Sequence, residues 1–281
     1  MAFVKRREFL EIHRESIVLS SMEKSGTNYL RLLLSNYIYN LLANDKEFKN
    51  IEYDAMQSEL FPNTRSYVFE GSAKYQKPKL NLYFSDKTAY KDFMYDHGYP
   101  SEFFADRFHF SSDFLSPKKT IFLFRNPYDI IISRFFFFYK NRAGKEDQVE
   151  HPRELIDGFM PSFSKRYSRM KRLAAKDNNL MVAYEELKTD PQETVAKILD
   201  HLGIPVDAEL VKRSIEAASI KKVKQTEKRM GRSIHTTKIK GSFVRSGEIG
   251  QWKDHFDQND INQINQMLKE RSIDVNEFIV E

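Results

Sequence analysis

The segment SSMEKSGTNYL, residues 20–30, links a short apolar run to a long helical pattern, and no other part of the sequence limits the possible folds as much. The run before it, SIVLS (16–20), predicts a buried strand. The stretch after it predicts a helix over 28–42, because apolar residues recur there at helical spacing. These residues form one face: Leu30, Leu33, Leu34, Tyr37, Ile38 and Leu41. This part of the chain is therefore a strand–loop–helix unit.

The loop of this unit, residues 21–27, has two interpretations. Gly26 lets the backbone approach a ligand closely, and the N–H groups that open the helix favour an anion. Lys24 adds a positive charge, while Ser25 and Thr27 add hydroxyl groups. The loop is thus either an ordinary turn with a solvated lysine or a cradle for a phosphate.

Two further segments repeat the pattern. TIFLF (120–124) predicts a strand buried on both faces, followed by a helix with Asn126 at its N-cap and Pro127 at its first position. NLMVAYEEL (179–187) predicts another strand and loop, followed by a helix that ends at Gly203. Strands that alternate with helices predict an α/β fold with a central parallel sheet flanked by helices. In such sheets, ligands bind at the carboxyl ends of the strands.

The composition favours one soluble domain. The 281 residues contain 41% hydrophobic side chains and no low-complexity linker, so we expect residues 1–281 to form a single domain. Residues 45–104 are rich in Tyr, Phe, Asp and Lys, and we expect a variable ligand-facing insert of loops and short helices there. The lack of cysteine excludes disulfides and thiolate metal sites. No signal peptide or membrane-length apolar run occurs, which favours a cytoplasmic protein with no membrane partner.

The charge of the chain suits an anionic ligand. The net charge is +5 at pH 7, which is too modest for a general nucleic-acid binder, so we expect no nucleic-acid partner. The densest basic stretch, residues 220–232, is either a solvated surface or a segment that closes over an anion.

RNPYDIIIS (125–133) and FVRSGEIGQWKDHF (243–256) add candidate ligand groups. The first places Arg125 at a strand end and Ser133 eight residues later, where both meet one phosphate if strand and helix fold back together. Otherwise Arg125 is an ion-pair partner and Ser133 a helix serine. The second has two glycines between a basic residue and Trp252, which indicates either a loop that wraps a ligand or a connection held by tryptophan packing.

Together, and in this order, the motifs resemble those of the cytosolic sulfotransferases, which use 3′-phosphoadenosine 5′-phosphosulfate (PAPS). Residues 22–29 match the family's Tyr-Pro-Lys-Ser-Gly-Thr-Thr-Trp, 125–133 match its Arg-Asn-Pro segment, and 245–253 match its Arg-Lys-Gly-x-x-Gly-x-Trp-Lys. AYEELKTDP (183–191) is similar to its Tyr-Glu-Asp stretch. The resemblance spans residues 16–256. It implies a three-layer P-loop-like fold and transfer of a sulfuryl group from PAPS, with 3′-phosphoadenosine 5′-phosphate (PAP) as product.

The resemblance also implies a nucleotide site with three parts. The residues for the 5′-phosphosulfate are Lys24, Ser25, Gly26, Thr27 and Asn28. The residues for the 3′-phosphate are Arg125, Ser133, Arg245, Ser246 and Gly247. The residues for adenine are Tyr29, Tyr184 and Ser219.

Three departures from the family pattern matter. Glu23 stands where the family has Pro, and its carboxylate would repel phosphosulfate unless it is turned away or paired. Ser246 stands where the family has Lys, which removes one positive charge from the 3′-phosphate site. The family's dimerisation signature is not visible in KDHFDQNDIN (253–262), so both a monomer and a dimer remain open.

By the same resemblance, Lys24 would stabilise the bridging oxygen as the sulfur–oxygen bond breaks, without a metal ion. The family's base is often a histidine in a Lys-Thr-His strand, and residues 107–109 lie at the corresponding place. His109 is therefore the first candidate base, and Arg107 a candidate contact for the sulfuryl group. The alternative bases are Glu23, His97, Asp86 and Asp113.

The acceptor is the least constrained partner. Aromatic residues of the insert, Tyr53 among them, are either pocket walls or, for most of them, core and surface packing residues. We favour a small-molecule acceptor, an alcohol, phenol, amine or carbamoyl group of a bacterial natural product, with a carbohydrate as the alternative. A nucleotide kinase is disfavoured because the G-x-x-x-x-G-K-[ST] spacing is absent. A non-catalytic nucleotide- or RNA-binding protein is supported only by residues 220–232.

Overall fold

The computed structural model describes residues 17–43, 47–53, 103–107, 119–142, 144–145, 148–176, 178–230 and 245–278. For 103–107 it describes the backbone alone, and the side chains of 42, 43 and 230 are also not described. Most of the predicted insert, residues 54–102, lies outside this set. Tyr53, at its described end, is buried in the core with Ile51, so of the two alternatives for its ring the structure shows core packing.

The centre of the fold is a parallel sheet of four strands, in the order β2-β1-β3-β4. The strands are β1 (Ile17–Ser21), β2 (Phe103–Arg107), β3 (Lys119–Phe124) and β4 (Asn179–Ala183). Ser21 at the end of β1 pairs with Arg107 on one side and with Leu123 on the other. The carboxyl ends of the strands therefore lie along one edge of the sheet, as parallel pairing requires.

Helices connect the strands and follow the last of them. Their bounds are α1 (Thr27–Ala43), α2 (Pro127–Phe135), α3 (Ile156–Ala174), α4 (Glu186–Thr189), α5 (Pro191–Leu202), α6 (Ala208–Ala217), α7 (Ile220–Met230) and α8 (Gln258–Lys269). A π-helix, Phe136–Lys140, continues α2, and 3-10 helices cover Pro152–Leu155, Gln251–Asp254 and Val275–Phe278. Among the described helices, none has the length and apolar character needed to cross a bilayer.

The sheet separates two hydrophobic layers. Leu123 of β3 faces a core that α1, α5 and α6 cover, whereas its neighbour Phe122 faces a second core under α2, α3 and α8. Adjacent residues of a strand point to opposite faces, so a strand covered on both sides is apolar at every position. Residues 121–124, IFLF, have this pattern. The predicted three-layer fold with a central parallel sheet is confirmed.

Local sequence signals set the helix ends. The Asn126 side chain accepts a hydrogen bond of 2.9 Å from the Tyr128 N–H and caps α2, with Pro127 at the first helical position as predicted. The first loop is shorter than predicted, because Ser21 still belongs to β1 and α1 begins at Thr27. Residues 103–104 were predicted as loop or short helix, which is wrong: their backbone pairs with β1 as part of β2.

Gly203 ends α5 with a left-handed backbone, φ 75°. We expect Gly203→Ala to lower the free energy of unfolding by about 1 kcal/mol, because an L side chain is strained there. Gly158 lies within α3, and a Cβ added to it meets no atom within 4 Å. Gly158→Ala is the matched control, and it should raise stability by about 0.5–1 kcal/mol. Urea unfolding of both variants tests the pair, and equal shifts would contradict the assignment.

Candidate nucleotide site

Four segments meet at the carboxyl edge of the sheet. Beyond the strand ends, the Met22 N–H donates to the Leu123 carbonyl at 3.0 Å, and the Tyr184 N–H donates to the Phe124 carbonyl at 2.8 Å. These bonds hold the loops after β1 and β4 beside the end of β3, where Arg125 follows. The fourth segment, residues 245–250, approaches from the later part of the chain. We call it the Gly247 loop.

The loop after β1, residues 22–26, which we call the Lys24 loop, has left-handed backbone at Lys24 (φ 61°) and at Gly26 (φ 84°). The Gly26 carbonyl accepts the first hydrogen bond of α1, from the Leu30 N–H at 3.1 Å. The N–H groups just inside a helix start have no intrahelical acceptor and favour an anion. Ser25 is fully buried, and its hydroxyl finds no hydrogen-bond partner among the described residues. This arrangement fits a bound phosphate or sulfate.

Arg125 joins three of the segments. Its Nη2 donates to the Glu248 carbonyl at 2.7 Å and its Nη1 to the Lys24 carbonyl at 3.5 Å. Its guanidinium also lies 3.5 Å from the Asp129 carboxylate. Arg125 is 6% exposed, and its Nε has no hydrogen-bond partner within the described part of the chain. A buried guanidinium with a donor to spare suits an anionic ligand.

Tyr184 fills the space between the two glycine-containing loops. Its hydroxyl donates to the Gly247 carbonyl at 2.7 Å, and the Arg125 guanidinium lies 4.5 Å from its ring centroid. A Cβ added to Gly26 would lie 2.4 Å from the Tyr184 ring. Glycine is therefore needed at 26 both for its backbone angle and for this contact. Burial raises the pKa of Tyr184, so its hydroxyl stays protonated at neutral pH.

The Gly247 loop is fastened to α2 by one carboxylate. Asp129 accepts hydrogen bonds from the Gly250 N–H at 2.7 Å and from the Trp252 N–H at 3.2 Å. The Trp252 ring packs on Tyr128, with centroids 5.0 Å apart. The packing role of the tryptophan is therefore observed, and the loop also contacts Arg125 through the Glu248 carbonyl; that it wraps a ligand stays a prediction.

The remaining residues predicted for the 3′-phosphate lie nearby. The Arg245 guanidinium lies 4.0 Å from the Phe136 ring centroid, and Phe136 is three residues after Ser133 on the same helical segment. Residues three apart share one face of a helix, so Ser133 and Arg245 approach the same region. The Ser246 hydroxyl accepts a hydrogen bond of 2.5 Å from the Gln251 side chain.

The residues predicted for adenine occupy the same edge. Tyr29 lies in the first turn of α1, where burial raises its pKa to about 12. The Lys188 ammonium lies 5.8 Å from its ring centroid. Ser219 lies in the turn before α7, and the next side chain, Ile220, would be 2.4 Å from a Cβ added to Gly247. The structure thus brings this turn against the Gly247 loop.

Glu23 is ion-paired. Its carboxylate contacts the Arg134 guanidinium, and both side chains are about a quarter exposed, at 23% and 24%. The carboxylate was expected to repel phosphosulfate unless it is turned away or paired, and the structure shows it paired. The neighbouring Lys24 ammonium lies 3.5 Å from the Phe137 ring centroid.

The candidate bases His109, His97, Asp86 and Asp113 lie outside the described residues, so their assignment stays a prediction. For Arg107 the structure gives the backbone, which is at the end of β2 beside Ser21. Within the stretches that the structure covers, no group of three or more His, Asp or Glu side chains is arranged to hold a metal ion.

The basic stretch 220–232 is α7 over most of its length. Its lysines at 221, 222 and 224 are exposed, while Val223 packs on the first core. The Lys224 ammonium donates to the Arg245 carbonyl at 2.9 Å. The described part of this stretch is therefore solvent-exposed and contacts the Gly247 loop from outside, and its closing over an anion stays a prediction.

Sequence reasoning missed three side chains that organise the site. No role in the site was predicted for Asp129, and nothing in the sequence pairs Arg134 with Glu23. Glu185 is buried, accepts the Asn126 N–H at 3.1 Å, and burial raises the pKa of its carboxyl group. The signal that could have found them is their position within or beside the motifs, because the strand ends that precede these motifs converge.

Trp252 is the single tryptophan of the chain and reports on the Gly247 loop. We expect Asp129→Asn to cost about 2–4 kcal/mol of stability and to increase acrylamide quenching of native Trp252 fluorescence, because the buried ion pair and one loop contact are lost. Asp157→Asn is the control: this carboxylate on α3 is exposed and accepts a hydrogen bond of 2.7 Å from the Gln263 side chain. Unchanged quenching in Asp129→Asn would contradict the role of that carboxylate.

Comparison with known proteins points to one family. A family model described as Sulfotransferase domain matches residues 14–275. Human Sulfotransferase 2A1 is 25% identical over 291 residues, which cover 96% of this chain and 89% of that protein. Human Sulfotransferase 2B1 is 29% identical over 157 residues, covering 52% of this chain and 42% of that protein. Rat Sulfotransferase 2A6 is 28% identical over 149 residues, with 52% of its length covered. The chain thus spans about half the length of the last two.

Solved structures show the same fold. Retinol dehydratase in complex with retinol and PAP has a TM-score of 0.61 at 17% identity, covering 98% of this chain and 86% of that one. Mouse sulfotransferase SULT7A1 complexed with PAP has a TM-score of 0.56 at 17% identity, covering 95% and 89%. Because the family model matches most of the chain, this protein belongs to the sulfotransferase family, as its three motifs predicted.

Proposed function

We propose that this protein transfers the sulfuryl group of PAPS to a small-molecule acceptor. The observation that carries the proposal is the meeting of the Lys24 loop, Arg125 and the Gly247 loop around Tyr184 at one sheet edge. These are the motifs that bind the nucleotide in the family, and here they are one connected structure.

The 5′ end of the nucleotide would lie at the start of α1. The N–H groups of Ser25, Gly26, Thr27 and Asn28 would donate to its phosphate oxygens, with the buried Ser25 hydroxyl as a further donor. The Ser21 and Thr27 hydroxyl groups lie 2.6 Å apart, which fixes the first turn of the helix to the strand end. A fixed set of donors stabilises an anion without reorganising when it binds.

The 3′-phosphate would lie between Arg125 and Arg245, near Ser133 and the Gly247 backbone. Arginine suits this task, since its planar guanidinium can bind two phosphate oxygens at once. Adenine would be bounded by Tyr29, with Tyr184 and Ser219 as further contacts. Ser246 would contribute a hydroxyl group where the family has a charge.

For the transfer step, PAPS supplies an activated sulfuryl group whose leaving group is a phosphate. The acceptor oxygen or nitrogen would attack the sulfur in line as the sulfur–oxygen bond to that phosphate breaks. Lys24 would neutralise the charge that develops on the leaving oxygen. His109 is the proposed base for the acceptor proton, with His97, Asp86 and Asp113 as alternatives. Glu23 is a weaker candidate, because Arg134 occupies its carboxylate.

The acceptor proposed here is a small alcohol, phenol, amine or carbamoyl compound, as in natural-product tailoring, and a carbohydrate is the alternative. The proposed chemistry needs no metal ion, and we propose a cytoplasmic location. A screen of acceptor classes with PAPS, read by mass spectrometry as the mass of an added sulfuryl group, identifies the acceptor. Acceptors that offer only a hydroxyl group or only an amine then distinguish O- from N-sulfation, since the added mass is the same for both.

We expect the wild-type protein to bind PAP in isothermal titration calorimetry, and a folded protein that gives no PAP binding would contradict the proposal. Lys24→Ala should lower turnover at least about 100-fold, measured with the acceptor from the screen, because it removes charge stabilisation of the leaving oxygen. Its effect on PAP affinity should be much smaller.

Arg245→Ala should weaken PAP binding about tenfold and leave the binding of adenosine 5′-monophosphate unchanged, since that ligand lacks the 3′-phosphate. Lys165→Ala, at an exposed position of α3, is the control for loss of one positive charge. Equal loss of affinity for both nucleotides in Arg245→Ala would place Arg245 elsewhere in the site.

A further inference from the structure

We propose that the Glu23–Arg134 ion pair is a clamp that holds the Lys24 loop against α2 and thereby sets the affinity for the 5′-phosphate end of the nucleotide. The inference rests on the proposed function and assigns positioning roles to two residues outside the predicted phosphate contacts.

The clamp is needed because the Lys24 loop is strained. Lys24 adopts φ 61°, a left-handed conformation that residues with a side chain rarely take. Such a conformation costs on the order of 1–3 kcal/mol and persists only where surrounding contacts enforce it. Contacts on the residues beside Lys24 therefore decide whether its N–H and ammonium groups keep the geometry that an anion needs.

Glu23 supplies one such contact directly before the strained residue. Its partner Arg134 is itself held in place, because the guanidinium lies 5.2 Å from the Phe138 ring centroid and 5.1 Å from that of Phe159. Phe159 belongs to the second core. An arginine packed between two rings offers a fixed donor, so the pair can transmit the position of α2 to the loop.

Two other contacts on Lys24 come from the same part of the chain. Arg125 binds its carbonyl at 3.5 Å, and Phe137 lies under its ammonium at 3.5 Å. With Arg134, these groups all belong to the continuous segment 125–138. The loop is thus held at its carbonyl, at its ammonium and at the preceding side chain by one frame, which also carries Ser133 of the 3′-phosphate site.

Electrostatic repulsion between Glu23 and a bound phosphate predicts the opposite change in phosphate affinity when Glu23 loses its charge. If Glu23 were only a negative charge beside an anion site, its removal would tighten the binding of a phosphate. If it is a clamp, its removal loosens the loop and weakens binding. Glu23→Gln keeps the size of the side chain and removes the charge, so the direction of its effect separates the two roles.

The experiment compares two nucleotides by calorimetry, PAP and adenosine 3′-monophosphate, which lacks the 5′-phosphate. We expect Glu23→Gln and Arg134→Gln each to weaken PAP binding about tenfold and to leave adenosine 3′-monophosphate unchanged. The double variant should be no weaker than either single variant, because both remove the same interaction. Arg134→Lys, which keeps the charge, should recover most of the PAP affinity.

Lys171→Gln is the matched control, since it removes an ion pair elsewhere in the fold, between Lys171 of α3 and Glu277 at 2.7 Å. It should leave both affinities as in the wild type. The clamp is overturned if Glu23→Gln binds PAP as well as or better than the wild type, or if both nucleotides lose affinity equally. Thermal unfolding identifies a variant that does not fold. If Arg134→Gln fails to fold, the PAP affinities of Arg134→Lys and Glu23→Gln test the clamp. A wild type that binds neither nucleotide refutes the proposed function instead.

Discussion

The buried guanidinium of Arg125 is the interaction on which the rest of the site depends. It contacts the carbonyls of Lys24 and Glu248, the carboxylate of Asp129 and the ring of Tyr184. These groups come from four segments that are far apart in the chain. A buried charge is costly unless it is paired, so the loss of any one of these contacts would leave the guanidinium less well compensated. One side chain at a strand end thereby fixes the loops that are proposed to hold both ends of a nucleotide.

The parallel sheet makes this convergence possible. Parallel strands end along the same edge, so loops that are distant in sequence become neighbours without any specific side-chain interaction. Hydrogen bonds from Met22 and Tyr184 extend this order one residue past the strands. Hydrogen bonds from side chains such as Asp129 then have only to fix the exact positions of the loops. This division explains why the same fold can form at 17% sequence identity.

The sequence was informative where the determinants are local. Asn126 as a cap, Gly203 as a helix end and the apolar run of β3 depend on residues close in the chain, and all three were predicted. The pairing of Glu23 with Arg134 was not, because it joins residues 111 positions apart and depends on how α2 packs. Likewise, the proximity of Phe136 to Arg245 follows from tertiary packing. The motifs indicated which residues belong to the site, whereas the contacts that position them required the fold.

The π-helix after α2 gives four successive phenylalanines four different neighbours. Phe135 is buried with the Lys140 ammonium 5.4 Å from its ring centroid, Phe136 lies beside Arg245, Phe137 beside Lys24 and Phe138 beside Arg134. Its wider turn, closed by a 2.8 Å bond from the Asn141 N–H to the Phe136 carbonyl, sets the direction of each ring. Losing one residue would rewind this turn and exchange the neighbours of every ring that follows. During divergence, this segment should therefore tolerate changes of ring type more readily than changes of length.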